Sequence, residues 1–148
     1  MASVRYEIII DADADDVWAV AGEPSILHLW FPGITSCVVE GNLRTINLAM
    51  GMPMPEEIVT NDPVLRRFQY QITSPVFTYH RGTIDAFDLG DHRTLVSYAT
   101  DAVPNVMALV IGGASLGALD SLKEQVEAGA GPAVEAAAQL RTARKAGA

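Results

Sequence analysis

The sequence predicts an α+β domain: one curved antiparallel sheet of seven strands closed by a long helix near the C-terminal end. Two observations carry this. From residue 34 to about 102 the chain divides into β-branched and aromatic runs roughly ten residues apart, separated by Gly, Asn, Asp and Pro. After Pro104-Asn105 the period changes, and VMALVIGGASLGALDSLKEQVEAG repeats its apolar residues at helical spacing.

The bulk numbers narrow the class. A chain of 148 residues fits one domain and can bury a core without disulfides or metals. Net charge is −8 and the pI is near 4.7, which favours solubility and argues against a phosphate backbone as partner. The doublet Arg66-Arg67 and the scattered Arg141, Arg144 and Lys145 make no stripe that would track nucleic acid. The single cysteine, Cys37, allows no internal disulfide and suits a reducing compartment. The N-terminal MASVRYEIIIDADAD turns acidic too early for a signal peptide. The longest apolar run, Val106 to Leu119, is short and broken by Gly112, Gly113, Ser115 and Gly117, so no stable membrane insertion is expected. These features together predict a soluble cytoplasmic protein.

Each element has a local reason. SVRYEIII, residues 3–10, alternates and becomes β-branched, as a strand does. In DADADDVWAVAG, Asp11 or Asp13 can cap a helix, Asp15 and Asp16 suit its first turn, and Gly22 ends it. Trp18 falls on the apolar side of that helix and reads as core. Pro24 opens a second short helix to about Trp30, and Pro32-Gly33 forces a turn. Strands follow at 34–40, 43–50, 56–61, 65–73, 77–87 and 94–101. The clearest is 65–73, with Phe68, Tyr70 and Ile72 on one face and Gln69, Gln71 and Thr73 on the other. In the long helix Leu116, Leu119, Leu122 and Val126 are expected to face the sheet, Gly129 to end it, and the stretch 106–111 to be buried on most sides. The division is a domain over 1–129 and an Ala-rich extension over 130–148, whose composition favours an extra helix packed lightly, or a frayed end.

Three stretches resemble the START-like (SRPBCC) superfamily, which includes Bet v 1-like and polyketide cyclase/dehydrase-like proteins. They are IDADADDVWAVAGEPSILHLWFPGI, SCVVEGN and GGASLGALDSLKEQVE. The resemblance covers roughly residues 4–128 and implies the helix-grip fold: seven-stranded curved antiparallel sheet, two short helices after strand 1, and a long C-terminal helix lying in the concave face. A sheet wrapped around a helix leaves a gap where the two diverge, and such gaps hold apolar ligands. The fold hosts many functions, so the resemblance fixes architecture better than chemistry.

The candidate ligand-binding residues follow from strand alternation and from that fold. Trp30 and Phe31 stand at the turn that closes one end of the cavity, partly rim and partly core. Phe68, Tyr70 and Ile72 face inward. On the next strand either Phe77, Tyr79, Arg81, Thr83 and Asp85 face inward, or His80, Gly82 and Ile84 do; the sequence leaves both open. The first set would pair Arg81 with Asp85 inside the cavity, and with Tyr79 and Tyr98 grip a polar ligand end. Met50, Met52 and Met54 suit a flexible lid or core filling. Val110 and Gly113 of the long helix complete the set, Gly112-Gly113 allowing close packing or ligand room. Glu56-Glu57 reads as a solvated strand start.

Catalytic machinery is sparse. His28, His80 and His92 have no partner at metal-ligand spacing, so neither a metal nor a cofactor is expected. No G-x-S-x-G, phosphate loop or dinucleotide fingerprint occurs. His80, Tyr79 and Arg81 are the weak acid–base candidates. The expected partner is a small hydrophobic molecule; homodimerisation stays open. Two functions compete: a binding or transport module, and a polyketide cyclase/aromatase-like enzyme using the same cavity.

Overall fold

The computed structural model describes residues 1–148 throughout. Its strands are β1 (Ala2–Ile10), β2 (Ile34–Glu40), β3 (Leu43–Leu48), β4 (Pro53–Asp62), β5 (Arg67–Ile72), β6 (Tyr79–Gly90) and β7 (Arg93–Val103). They form one curved antiparallel sheet in the order β1-β7-β6-β5-β4-β3-β2. Between β1 and β2 lie α1 (Ala14–Ala21) and a 3-10 helix (Pro24–Leu29); α2 (Asn105–Ala128) and α3 (Pro132–Ala146) follow the sheet. This is the helix-grip arrangement, with α2 on the inner face.

The short elements start and stop where local chemistry requires. Asp15 and Asp16 occupy the first turn of α1, Val17 and Val20 bury its inner side, and Gly22 closes it. The carboxylate of Glu23 accepts from the Ser25 amide and hydroxyl, capping the 3-10 helix. Gly129 ends α2 with φ of 62°, the left-handed conformation that glycine adopts freely. Trp18 is only half-buried: its ring lies over Gly22 and faces a groove between α1 and α3, so it is not the core plug expected of it.

Buried positions of α2 follow a line of alternating steps of four and three, Ala108, Gly112, Ser115, Leu119, Leu122 and Val126, with Ala118 buried beside it. Leu116, expected on that line, falls outside it and is exposed. The stretch 106–111 is not buried on most sides either: Val106, Leu109 and Val110 are exposed and Ala108 alone is fully covered there. The reason is the size gradient along the buried face. Gly112 brings the helix close to β1, where a Cβ would sit 2.7 Å from Cγ1 of Val4. Gly113 points away, and a Cβ there would meet nothing within 4 Å. By length and composition α2, with a mean hydropathy of 1.4 over its most apolar window, is sufficient to cross a bilayer, more than the broken run 106–119 suggested. In this fold it is the helix that the sheet grips.

The Ala-rich tail is a formed helix. Ala133 and Ala137 of α3 are buried, their small side chains allowing close approach to α1 and the 3-10 helix. Gln125 joins three elements, donating to the Leu29 carbonyl at 3.0 Å and accepting from the Ala133 amide at 2.9 Å. Arg144 closes the contact with a 2.6 Å bond to Glu23.

The two glycines of α2 should respond oppositely to Ala. Gly112→Ala should destabilise by about 1–3 kcal/mol through overpacking against Val4. Gly113→Ala should be neutral or stabilise by up to about 1 kcal/mol through helix propensity. Urea denaturation midpoints of the two variants check both.

Candidate functional site

Where α2 and the sheet diverge lies a cavity of about 400 Å3, within the range of small-molecule sites. The 3-10 helix and its turn give Leu27, Phe31, Pro32, Gly33 and Ile34 to one wall. The sheet supplies Ile46, Leu48, Met54, Glu56, Tyr70 and Ile72, with Phe77 from the turn before β6. From α2 come Met107, Val110, Ile111 and Ala114. Fifteen of the eighteen wall residues are apolar, and Glu56 is the one that carries a charge. The mouth lies between Met50 and Val110, which are 77% and 60% exposed. A second depression of about 710 Å3 between α1 and α3 is a polar groove, and its Arg144 and Arg141 are already bonded to Glu23 and the Asp15 carbonyl. The apolar cavity is therefore the candidate site.

At its inner end sits a buried ion pair. Arg44 and Glu56 are directly opposite on β3 and β4, each 2% exposed, with Arg44 Nε donating to Glu56 Oε2 at 2.6 Å. The guanidinium carbon lies 5.1 Å and 5.0 Å from the ring centres of Phe68 and Tyr70, a cation–π enclosure. Arg44 Nη2 has no protein partner. Burial raises the Glu56 carboxyl above its ordinary value, against the opposing pull of Arg44.

Around the pair the aromatic side chains interlock. Tyr70 and Tyr98 share a 2.7 Å bond between their hydroxyls, and burial pushes Tyr98 up to about 12, so its phenol stays protonated. Gly82, opposite Tyr70 on β6, is where the ring lies: a Cβ would be 2.3 Å from it. His80 packs on Tyr70 and Phe77, and its Nδ1 accepts from the Ile72 amide at 3.0 Å, just past the end of the β5–β6 ladder. The proton of the neutral ring is thereby placed on Nε2, which has no protein partner. Burial, then the charge of Arg81, lower His80 to about 4, with Asp101 opposing.

Residues 1–127 match the family described as polyketide cyclase / dehydrase and lipid transport. The chain belongs to this family. No curated protein sequence matches it significantly. Among solved structures, the Zhui aromatase/cyclase of a Streptomyces species is 19% identical with a TM-score of 0.73, covering 86% of this chain and 94% of that one. A START superfamily protein from Mycobacterium smegmatis is 18% identical with a TM-score of 0.70, covering 84% and 97%. A truncated norcoclaurine synthase from Thalictrum flavum is 20% identical with a TM-score of 0.69, covering 83% and 91%. Likeness at this identity establishes the fold.

Within this member of the polyketide cyclase/dehydrase family, Phe31, Tyr70 and Val110 line the cavity. Phe68 and Tyr98 are buried behind the wall, Phe68 on Arg44 and Tyr98 on Tyr70. Trp30 is also core: it is 2% exposed and tilted against Phe31 from behind. Met52 and Gly113 are exposed and lie outside the wall, whereas Met50 and Met54 are in it. Tyr79 and Arg81 are corrected too. His80, Gly82, Ile84 and Ala86 form the inner face of β6, so Tyr79 and Arg81 point outward, with Arg81 opposite Asp101. Asp85 pairs instead with Arg67, at 2.7 Å. Phe77 enters the cavity because it precedes the strand and escapes its alternation. Glu56 is no solvated strand start, and Arg44 was not foreseen. The usable signal was the inward parity Arg44 shares with Ile46, and Glu56 with Met54.

Three outcomes follow from this geometry. Arg44→Met leaves the Glu56 carboxylate buried without its partner and should lose about 3–5 kcal/mol, while Arg44→Met with Glu56→Leu should recover most of it, read by urea unfolding. Trp30→Ala should lose about 3–5 kcal/mol as a core truncation. For His80, the unfolded ring takes a proton near 6.5 that the folded ring refuses until about 4. Stability is thus full above 6.5 and falls below it, by roughly 3 kcal/mol from this group at pH 4. His80→Gln should flatten the stability–pH slope between 6.5 and 4 relative to the parent.

Proposed function

We propose that this protein binds and carries a small hydrophobic molecule in the cavity between α2 and the sheet, in the cytoplasm. The observation that supports the reading most is the cavity itself: about 400 Å3, walled almost wholly by aliphatic, aromatic and Met side chains, and open at one end. Such a hollow in contact with water is unfavourable until an apolar guest fills it. The Met residues at the wall adapt to guests of differing shape.

An enzymatic reading has a specific observation in its favour. Glu56, in the wall, is a titratable group whose pKa burial has raised, a property that acid–base catalysis uses. A cyclase-like reaction would need little beyond that group and a wall that folds the substrate chain. The family description spans both activities. Lipid or polyketide co-purifying in native mass spectrometry, with no turnover of supplied polyketide chains, favours the carrier.

Ala114, on the exposed rim of α2, offers the direct test. Ala114→Trp should weaken binding of a hydrophobic dye at least about tenfold. As an exposed substitution it should leave Tm within about 2 °C of the parent. Unchanged dye affinity would remove the cavity from consideration.

A further inference from the structure

We propose that the ligand presents a hydroxyl, alcoholic or phenolic, to Glu56 at the inner end of the cavity, and that molecules headed by a carboxylate are excluded. The inference rests on the binding role proposed above for the same cavity.

Glu56 is the one charged wall group, and a carboxylate accepts hydrogen bonds without donating any. Arg44 occupies Oε2 through Nε, which leaves acceptor capacity on the carboxylate. The cation is not available to an incoming anion. Arg44 is as buried as Glu56 but, unlike it, is absent from the wall: its guanidinium, whose Nη2 has no protein partner, is enclosed by the faces of Phe68 and Tyr70. The Tyr70 hydroxyl, the other polar group at that end, is bonded to Tyr98. The hollow thus shows a guest one negative acceptor, no free positive charge and otherwise apolar surface. A carboxylate placed there would lose its water and face a like charge in a low dielectric. A neutral hydroxyl would donate to Glu56 in a charge-assisted bond, the stronger kind. The apolar mouth at Met50 and Val110 fixes the orientation: hydroxyl inward, hydrocarbon outward.

Three probes of nearly equal shape test this by calorimetry near neutral pH: 2-naphthol, 2-methoxynaphthalene and 2-naphthoate. The expected order is naphthol tightest, the methyl ether weaker by about tenfold or more, and naphthoate weakest. In the Arg44→Met/Glu56→Leu variant the preference for naphthol over its ether should shrink to about twofold; should that variant not fold, the parent series decides alone. Equal affinities in the parent, or naphthoate binding tightest, would overturn the hydroxyl assignment while leaving a ligand-binding cavity. Failure of all three probes and of the hydrophobic dye would overturn the binding role, and this inference with it.

Discussion

The contact between α2 and the inner face of the sheet governs everything else in this molecule. At Gly112 the helix backbone approaches Val4 so closely that a Cβ would sit 2.7 Å from its Cγ1 and force a shift. Toward the C-terminal half Leu119, Leu122 and Val126 fill the space fully. Between the β3–β4 link and the first turns of α2, the side chains of Met107, Val110 and Ala114 do not reach across to Ile46 and Met54, and the gap stays open. A well-packed interior leaves few voids larger than a water molecule, so a hollow of this size marks a place where packing has been given up. The cavity follows from how one helix is held, rather than from a loop or an insertion.

Within that hollow the Arg44–Glu56 pair is a second constraint, of a different kind. Removing two charges from water is expensive, and pairs of this sort contribute little net stability. Arg44 can meet Glu56 only when β3 and β4 are aligned as they are, and the cation is then enclosed by Phe68 and Tyr70 of β5. Tyr70 in turn needs Gly82 beneath it and Tyr98 beside it. Five strands, β3 to β7, are therefore coordinated through one chain of contacts that starts at a guanidinium. The same chain leaves one carboxylate facing an otherwise apolar space.

The fold was legible in the sequence and the site only partly so. Turn residues, the clean alternation of Phe68, Tyr70 and Ile72, and the change of period after Pro104 are local signals, and the elements appear where they predict. The two rings of the aromatic run at 30–31 divide: Phe31 faces the space and Trp30 is buried in the core against it. Tyr79 and Arg81 entered the candidate set through one of the two phases that strand alternation left open. The alternation of β6 admits two phases, and the ring of Tyr70 selects the one that puts Gly82 inside. Nothing within residues 77–87 states that preference.

Sequence by itself determined the order and type of the elements and the inward face of β5, because each rests on interactions between near neighbours. Tertiary structure alone decided that two charged residues twelve positions apart would meet inside an apolar hollow, that a histidine would accept an amide bond beyond the end of a ladder, and that one side of the long helix would stay uncovered. A charge in a strand reads as solvent-facing until its cross-strand partner is known. Burial of an ion is tolerated only when partner and enclosure arrive together, and that depends on register among strands distant in sequence.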